Sequence, residues 1–284
     1  MPEQVPQPPQ MALPTAARIA ELSTPTFSII TASFGAAHLL PALHASLVQQ
    51  RCQDFEWIVM DGGSSDGTPR LLAQWAAGDL HGRLVWRSAP DGGIYDAMNQ
   101  GVTLASGRYL LFLGADDVLA DDGVLADALR ALGQPPSAPP VAALLGDVEV
   151  VGKGISRPRT DWHLLVRNAI HHQGAFYARA LFQDFRYDIR QRIGADYELN
   201  LLLHLRRSPC RVLPRLVARC GADGVSNQTD ERRIYAELRH IRARHLGSLQ
   251  SWLCWAVGMA NVLRRRVGAR LGGPARRSAA SRQG

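Results

Sequence analysis

Two adjacent carboxylates, Asp116 and Asp117, stand at the end of a continuous apolar run, residues 109–113, in a chain of 284 residues. Like charges side by side at the mouth of a buried strand are costly unless a cation is held there. A hard divalent ion with oxygen ligands, Mg²⁺ or Mn²⁺ carrying a phosphate, suits them. The competing reading is that one of the two caps a helix starting just after it. Other polar residues stand at comparable places. Thr31 and Ser33 close an apolar stretch at 26–33, Asp61 closes another at 55–60, and Asp91 follows a third at 84–86. Asp196 opens a leucine-rich helical pattern in Ala195-Asp196-Tyr-Glu198-Leu-Asn200. A carboxylate there is either a helix-terminal acid complementing the dipole or a proton acceptor. His171 and His172 are adjacent and expected to be extended, so their side chains should point to opposite faces, with at most one facing a site. Without further ligands at suitable spacing they do not make a zinc centre.

These residues need elements to position them. Strand patterns at 26–33, 55–60, 84–86 and 109–113 alternate with helix patterns at about 37–50 and 68–76 and with a loop at 91–101 that leads into a third helix. That alternation predicts an α/β fold built on a parallel sheet with helical crossovers. In such sheets ligands bind beyond the carboxyl ends of the strands, where Thr31, Ser33, Asp61, Asp91, Asp116 and Asp117 all fall. Further on, two strands are expected at 141–145 and 147–151, a helix around 161–167, a partly extended segment at 171–177, and a strand at 211–217. Amphipathic helices follow at 230–246 and 250–271.

Composition limits the function classes. The four cysteines show no CxxC spacing, so neither a zinc site nor a disulfide framework is expected, and a reducing cytoplasm suits them. The Pro/Gln-rich start lacks an apolar signal region. Charge is uneven: residues 206–284 carry 17 arginines, no lysine and four acidic residues, whereas residues 1–205 are net negative, within a formal total of +7. The uncharged apolar part of 250–263 is shorter than the roughly 20 residues of a spanning helix. Its tryptophans and leucines, followed by Arg264-Arg-Arg266, fit a helix lying in a membrane interface or packed on protein. A nucleic-acid role lacks a recognised motif. The expected organisation is a disordered lead at 1–25, a sheet domain at 26–225, C-terminal helices at 226–271 and a disordered basic tail at 272–284.

Taken in order, several motifs resemble one family. They are Phe27-Ser-Ile-Ile-Thr31, Asp61-Gly-Gly-Ser-Ser-Asp66-Gly-Thr68, Asp91-Gly-Gly-Ile-Tyr-Asp96-Ala-Met-Asn99-Gln-Gly101, Leu111-Phe-Leu-Gly-Ala-Asp116-Asp117 and Ala195-Asp196-Tyr-Glu198-Leu. Over about 27–205 the chain resembles family 2 glycosyltransferases of the GT-A fold, a Rossmann-like, mostly parallel sheet flanked by helices. The resemblance implies that Thr31, Ser33 and Asp61 contact the nucleobase, and that Asp91 and Asn99 hold the nucleotide-sugar. It also implies that Asp117 ligates Mn²⁺ or Mg²⁺, with Asp116 reaching the ribose or a metal-bound water. His172 would contact diphosphate or acceptor, and Asp196 would be the catalytic base of an inverting transfer. A UDP-sugar is the commonest donor in that family. The implied acceptor is lipid-linked or a polysaccharide, at the cytoplasmic face of the membrane. Two positions depart from the family pattern: Gly114 stands where the first Asp of D-x-D-D is usual, and Ala195 where a Glu often precedes the base. The QxxRW signature of processive synthases is absent, which implies addition of one sugar. Two other readings compete. A nucleotidyltransferase would need a glycine-rich basic loop after the first strand, and Ser33-Phe-Gly-Ala-Ala-His38 has one glycine and no Lys or Arg. A non-catalytic nucleotide-sugar-binding protein would have no need of Asp117 and Asp196.

Overall fold

The computed structural model describes residues 24–133, 140–221 and 230–271. The expected disordered lead (apart from its last two residues), most of the proline-rich connection near 135–140 and the basic tail lie outside the described residues. The chain runs β1 (Phe27–Ser33), α1 (Leu40–Val48), β2 (Phe55–Asp61), α2 (Thr68–Ala77), β3 (Leu84–Ser88), α3 (Ile94–Leu104), β4 (Tyr109–Phe112), β5 (Val118–Leu119), α4 (Val124–Leu132), β6 (Ala143–Val150), β7 (Gly154–Ser156), β8 (Ala175–Ala178), α5 (Ala195–Leu205), β9 (Cys210–Cys220), α6 (Glu231–Leu246) and α7 (Ser248–Leu271).

Among the described residues nine strands form one sheet in the order β3-β2-β1-β4-β8-β6-β9-β5, with β7 beside β6. β1 to β4 are mutually parallel. β8 is antiparallel to both β4 and β6, which turns β6 and its parallel neighbour β9 back into the common direction. The sheet is therefore mostly parallel, with β5, β7 and β8 reversed. Chain order switches direction at β1, which has β2 on one side and β4 on the other. This is the kind of crevice where ligands bind in open α/β sheets.

Each face of the sheet has its own core, because side chains alternate along a strand. Phe27, Ile29, Trp57, Val59 and Leu111 point to the face covered by α1, α2 and α4. Ile30, Ile58, Met60, Leu110 and Phe112 point to the face covered by α3 and α5. The β1, β2 and β4 runs are buried on both faces, which is why they read as unbroken apolar stretches.

Three expectations change. The two strands at 141–145 and 147–151 are a single strand, β6, whose register with β9 shifts around Gly146. A Cβ at 146 would lie 2.4 Å from a Val217 methyl, so the glycine permits close strand approach and marks no turn. The helix at 161–167 is a four-residue 3-10 turn, Trp162–Leu165, closed by the Asp161 carboxylate on the His163 N–H. No helix starts just after Asp116 or Asp117. β5 intervenes, and α4 begins behind Gly123 without a side-chain cap. The capping reading of the carboxylate pair therefore falls.

The C-terminal helices are not a detached appendage. Leu238 and Ile241 of α6 form one cluster with Tyr197 and Leu201 of α5. α7 returns along α6, with Ser251 Oγ donating to the Arg239 carbonyl at 2.6 Å and the Arg239 guanidinium stacked on Trp252. Leu249, Trp252, Leu253, Val257 and Leu263 face outward and are exposed. No helix among the described residues is long and apolar enough to cross a membrane.

Candidate active site

A cavity of about 250 Å³ opens at the β1–β4 switch point and gathers Asp116, Asp117, His171, His172 and Asp196. Asp196 lies in the first turn of α5 and is 8 % exposed. Its Oδ2 accepts from Asn168 Nδ2 at 2.8 Å and faces His172 Nδ1 at 3.3 Å, and its Oδ1 meets the Tyr95 hydroxyl at 3.4 Å. The partners are themselves anchored. Asn200 Nδ2 donates to Asn168 Oδ1, and Asn200 Oδ1 accepts from the Tyr177 hydroxyl at 2.7 Å. Burial, reinforced by the nearby Asp196 charge, holds the Tyr95 phenol well above its ordinary pKa, so it stays a hydrogen-bond donor. The carboxylate is thus aimed by three groups from three different segments, while its edge still faces the cavity. That is the arrangement a proton acceptor needs.

Asp117 is 2 % exposed. Its Oδ2 accepts from the Gly114 N–H at 2.6 Å. Burial raises its pKa against that hydrogen bond, and the charge of Asp116 raises it further. The Cys220 thiol beside it is pushed up by burial and by the same carboxylates, so it remains a thiol. Asp116 Oδ2 is buried with no hydrogen-bond partner among the described residues. An orphaned carboxylate oxygen next to a second, desolvated carboxylate is costly as it stands and fits a hard cation. No group of three His, Cys, Asp or Glu ligands gathers among the described residues. Two carboxylates with the remaining positions open are what Mg²⁺ or Mn²⁺ shares with a phosphate. Gly114 explains the pair's spacing: a Cβ there would sit 3.0 Å from Asp116 and 3.1 Å from Asp117, pointing at both carboxylates.

The remaining expected site residues separate into two groups. Ser33, Asp61 and Asp91 line the ends of β1 and β2. Asp61 accepts from the Ser64 N–H at 2.9 Å, from the Ser64 and Ser88 hydroxyls, and from Ser33 Oγ at 3.3 Å. Asp91 is exposed on its loop and accepts from the Gly93 N–H. Thr31 and Asn99, by contrast, are not brought to the cleft. Strand alternation turns Thr31 into the α1-side core, where it is fully buried and its hydroxyl accepts from the Trp57 indole at 3.0 Å. Asn99 spends its amide on both backbone groups of Tyr187, donating to the carbonyl and accepting from the N–H.

The histidines also differ from expectation, since both line the cavity. His172 opens a 3-10 turn, His172–Gly174, so strand alternation does not separate it from His171.

Three residues were missed from sequence. Asn168 lies in no motif and Tyr95 sits inside the 91–101 motif without having been singled out, although Asn200, one helical turn beyond Asp196, was a legible sign of a polar face on α5. Phe34 is 76 % exposed beside Gly62 and Asp91, an aromatic in an otherwise small and polar loop.

Comparison with known proteins matches this picture. The family model for Glycosyl transferase family 2 matches residues 28–177. A PGL/p-HBAD biosynthesis glycosyltransferase of Mycobacterium bovis is 39% identical over 193 residues, covering 63% of this chain and 70% of that protein. An uncharacterized glycosyltransferase of Mycobacterium tuberculosis is 34% identical over 233 residues, covering 78% and 85%. Among solved structures, Staphylococcus aureus TarS in complex with UDP superposes with a TM-score of 0.62 at 17% identity, covering 82% of this chain and 70% of that one. The mannosyltransferase PcManGT of Pyrobaculum calidifontis, in complex with GDP-Man and Mn²⁺, gives 0.53 at 22% identity, covering 84% and 64%. These structural likenesses show a shared GT-A-type fold.

Proposed function

The chain belongs to glycosyl transferase family 2, and from that premise we propose that it moves one sugar from a nucleoside-diphosphate sugar to an acceptor hydroxyl, with inversion at the anomeric carbon. One observation carries the reading. A buried carboxylate, Asp196, held by Asn168, Tyr95 and His172, shares a cavity with an under-satisfied carboxylate pair, Asp116 and Asp117.

The roles follow from the chemistry. The acceptor oxygen attacks the anomeric carbon from the face opposite the leaving group, and its proton passes to Asp196. The bond from the anomeric carbon to the diphosphate oxygen breaks, and the nucleoside diphosphate leaves. Asp116 and Asp117 would hold Mg²⁺ or Mn²⁺, which when bound offsets the charge growing on the diphosphate. Asn168 and Tyr95 fix the carboxylate's direction, and His172 faces Asp196 in the cavity that also holds the carboxylate pair. Asp91 and Phe34 form the exposed surface against which the nucleoside would lie, its base on the phenyl ring, with the buried Asp61 and Ser33 supporting that loop from beneath. Transfer of a single sugar fits the lack of a processive signature. The outward face of α7, with Arg264 beyond it, supports peripheral attachment to an anionic membrane. Replacing Leu253 by Glu should then weaken co-sedimentation with anionic vesicles, and unchanged binding would remove the membrane from the proposal.

The deciding experiment measures nucleoside diphosphate release from UDP-, GDP- and dTDP-sugars with Mn²⁺ or Mg²⁺, with and without chelator. Solved relatives bind UDP and GDP-Man, so these nucleotides come first. Release from one donor, lost on chelation and in Asp196→Asn, is the expected result. Metal-dependent nucleotide binding without turnover, across donors and acceptors, would instead make the chain a nucleotide-sugar-binding protein.

A further inference from the structure

One stretch of the cavity wall around Asp196 is aliphatic. Ile94 and Met98 reach it from α3, Ile193 from the loop before α5, and Ile234 and Leu238 from α6. Of the polar side chains on the lining, three that stand beside this aliphatic stretch are already engaged, while His171, Gln173 and the carboxylate pair belong to the polar remainder of the cavity. Asn168 and His172 face Asp196, and the Tyr197 hydroxyl donates to the Leu164 carbonyl at 2.7 Å. Arg192 borders the same wall, exposed, and a guanidinium donates without accepting. A sugar ring pressed against Ile94, Met98, Ile193, Ile234 and Leu238 would find no acceptor on those side chains for its hydroxyl protons, which is unfavourable. Methyl and methylene groups would lose nothing.

This wall is fixed relative to the proton acceptor. A Cβ on Gly194 would lie 3.2 Å from Leu238 and 3.3 Å from Ile241, so α6 rests directly on the residue that precedes α5. Glu237 accepts from the Ile193 N–H at 3.2 Å. One turn deeper, the buried Glu198 pairs with Arg244 at 2.9 Å and His245 at 2.6 Å. The C-terminal helix is thereby part of the site, and through Gly247 it continues into α7 with its outward apolar face.

We infer that the acceptor carries an apolar aglycone, an alkyl or aryl group no more than one sugar from the reacting hydroxyl, which lies against Ile94, Ile193, Ile234 and Leu238. The inference rests on the transferase reading and goes beyond it by choosing the acceptor class. Its step is the same displacement. The hydroxyl of the aglycone-bearing acceptor forms the new bond to the anomeric carbon as the carbon–oxygen bond to diphosphate breaks, and Asp196 receives the proton.

The test uses the full chain, the donor found active in the screen, and three acceptors: an octyl or p-nitrophenyl glycoside below its micelle concentration, the matching free monosaccharide, and soluble dextran. The apolar glycoside should exceed the free sugar in kcat/KM by at least about tenfold, the size expected for burying a few methylenes. Ile234→Asn should shrink that ratio about tenfold and Ile234→Val should restore most of it, with thermal melts confirming that both variants fold. An octyl arm that prefers vesicle-embedded over dispersed acceptor identifies a bilayer source, and the reverse a soluble one; either agrees with the apolar class. Equal kcat/KM for glycoside and free sugar, preference for dextran, or a ratio indifferent to Ile234→Asn would overturn the inference while leaving the transferase intact. Absence of nucleoside diphosphate release in all three arms, with no nucleotide binding by calorimetry, would overturn the transferase reading and the inference with it.

Discussion

The carboxylates after β2 and those after β4 look alike in sequence and differ in what surrounds them. Asp61 is met by hydrogen bonds from Ser33, Ser64 and Ser88. Asp66 accepts from the Ala37 N–H and from both the N–H and the hydroxyl of Thr68, which depress its pKa. These two tie the loops after β1 and β2 into one shelf. Across β1, Asp117 is buried with its pKa raised, and Asp116 has an orphaned oxygen among the described residues. A carboxylate whose demands are met by its own chain acts as a strut. One left short is poised for a ligand the chain does not supply. The shelf is thus built to hold shape and the pair to hold charge.

Substitutions can break or sharpen this contrast. The largest effect is expected from Asp196→Asn, which keeps the size of the group and its contact with Asn168 but cannot take a proton. Turnover should fall by about 10²–10⁴, and a loss under threefold would remove Asp196 from the chemistry. Next, Asp117→Asn should lower metal-dependent turnover by about a hundredfold or more, in line with a contribution of several kcal/mol from charge stabilisation. Titration of Mn²⁺ against activity checks this, and an unchanged metal requirement would assign the ion elsewhere. On the shelf the order reverses, with stability suffering most. Asp61→Ala strands the Ser64 N–H and three serine hydroxyls and should cost roughly 3 kcal/mol in urea denaturation. Thr31→Val leaves the buried Trp57 indole unpaired and should cost about 1–2 kcal/mol, with donor KM little changed. A marked rise in KM would return Thr31 to the nucleotide site.

The smallest effect carries the clearest sign. Because burial raises the Asp117 pKa above its ordinary 3.8, the folded protein holds this proton more tightly than the unfolded chain does. Its contribution to metal-free stability is therefore present at low pH and lost as pH rises through the folded value, and at neutral pH the buried charge is unfavourable. Metal-free Asp117→Asn should melt about 2–4 °C above the parent at pH 7, equivalent to roughly 1 kcal/mol for a chain of this size. The gap should close as pH falls into the carboxylate range. A variant that melts lower at pH 7 would mean that the pair is already compensated within the chain.

Much of the sheet was legible because its strands are buried on both faces and bounded by glycine and polar residues, as at residues 107–117. Asp196 was legible as the first acid of a leucine-rich helix, and the carboxylate pair as charge at a strand end. Less legible was which polar side chains stay free. Thr31 and Asn99 sit inside convincing motifs, yet Trp57 lies beside Thr31 on a paired strand, and the Tyr187 backbone comes to Asn99 from 88 residues away. Asn168 was hidden for the same reason, since its partner Asp196 is 28 residues distant.

Local pattern alone determined the alternation of strands and helices, the acids at the strand ends, the family resemblance and the apolar C-terminal helix. Those properties follow from side-chain periodicity and composition, which need no partner. Tertiary structure decided which acids are struts and which remain unsatisfied, that both histidines share the cavity, and that α6 walls the site beside Asp196. Each of these depends on where hydrogen bonds and burial from distant segments fall, and that is settled only when the chain closes on itself.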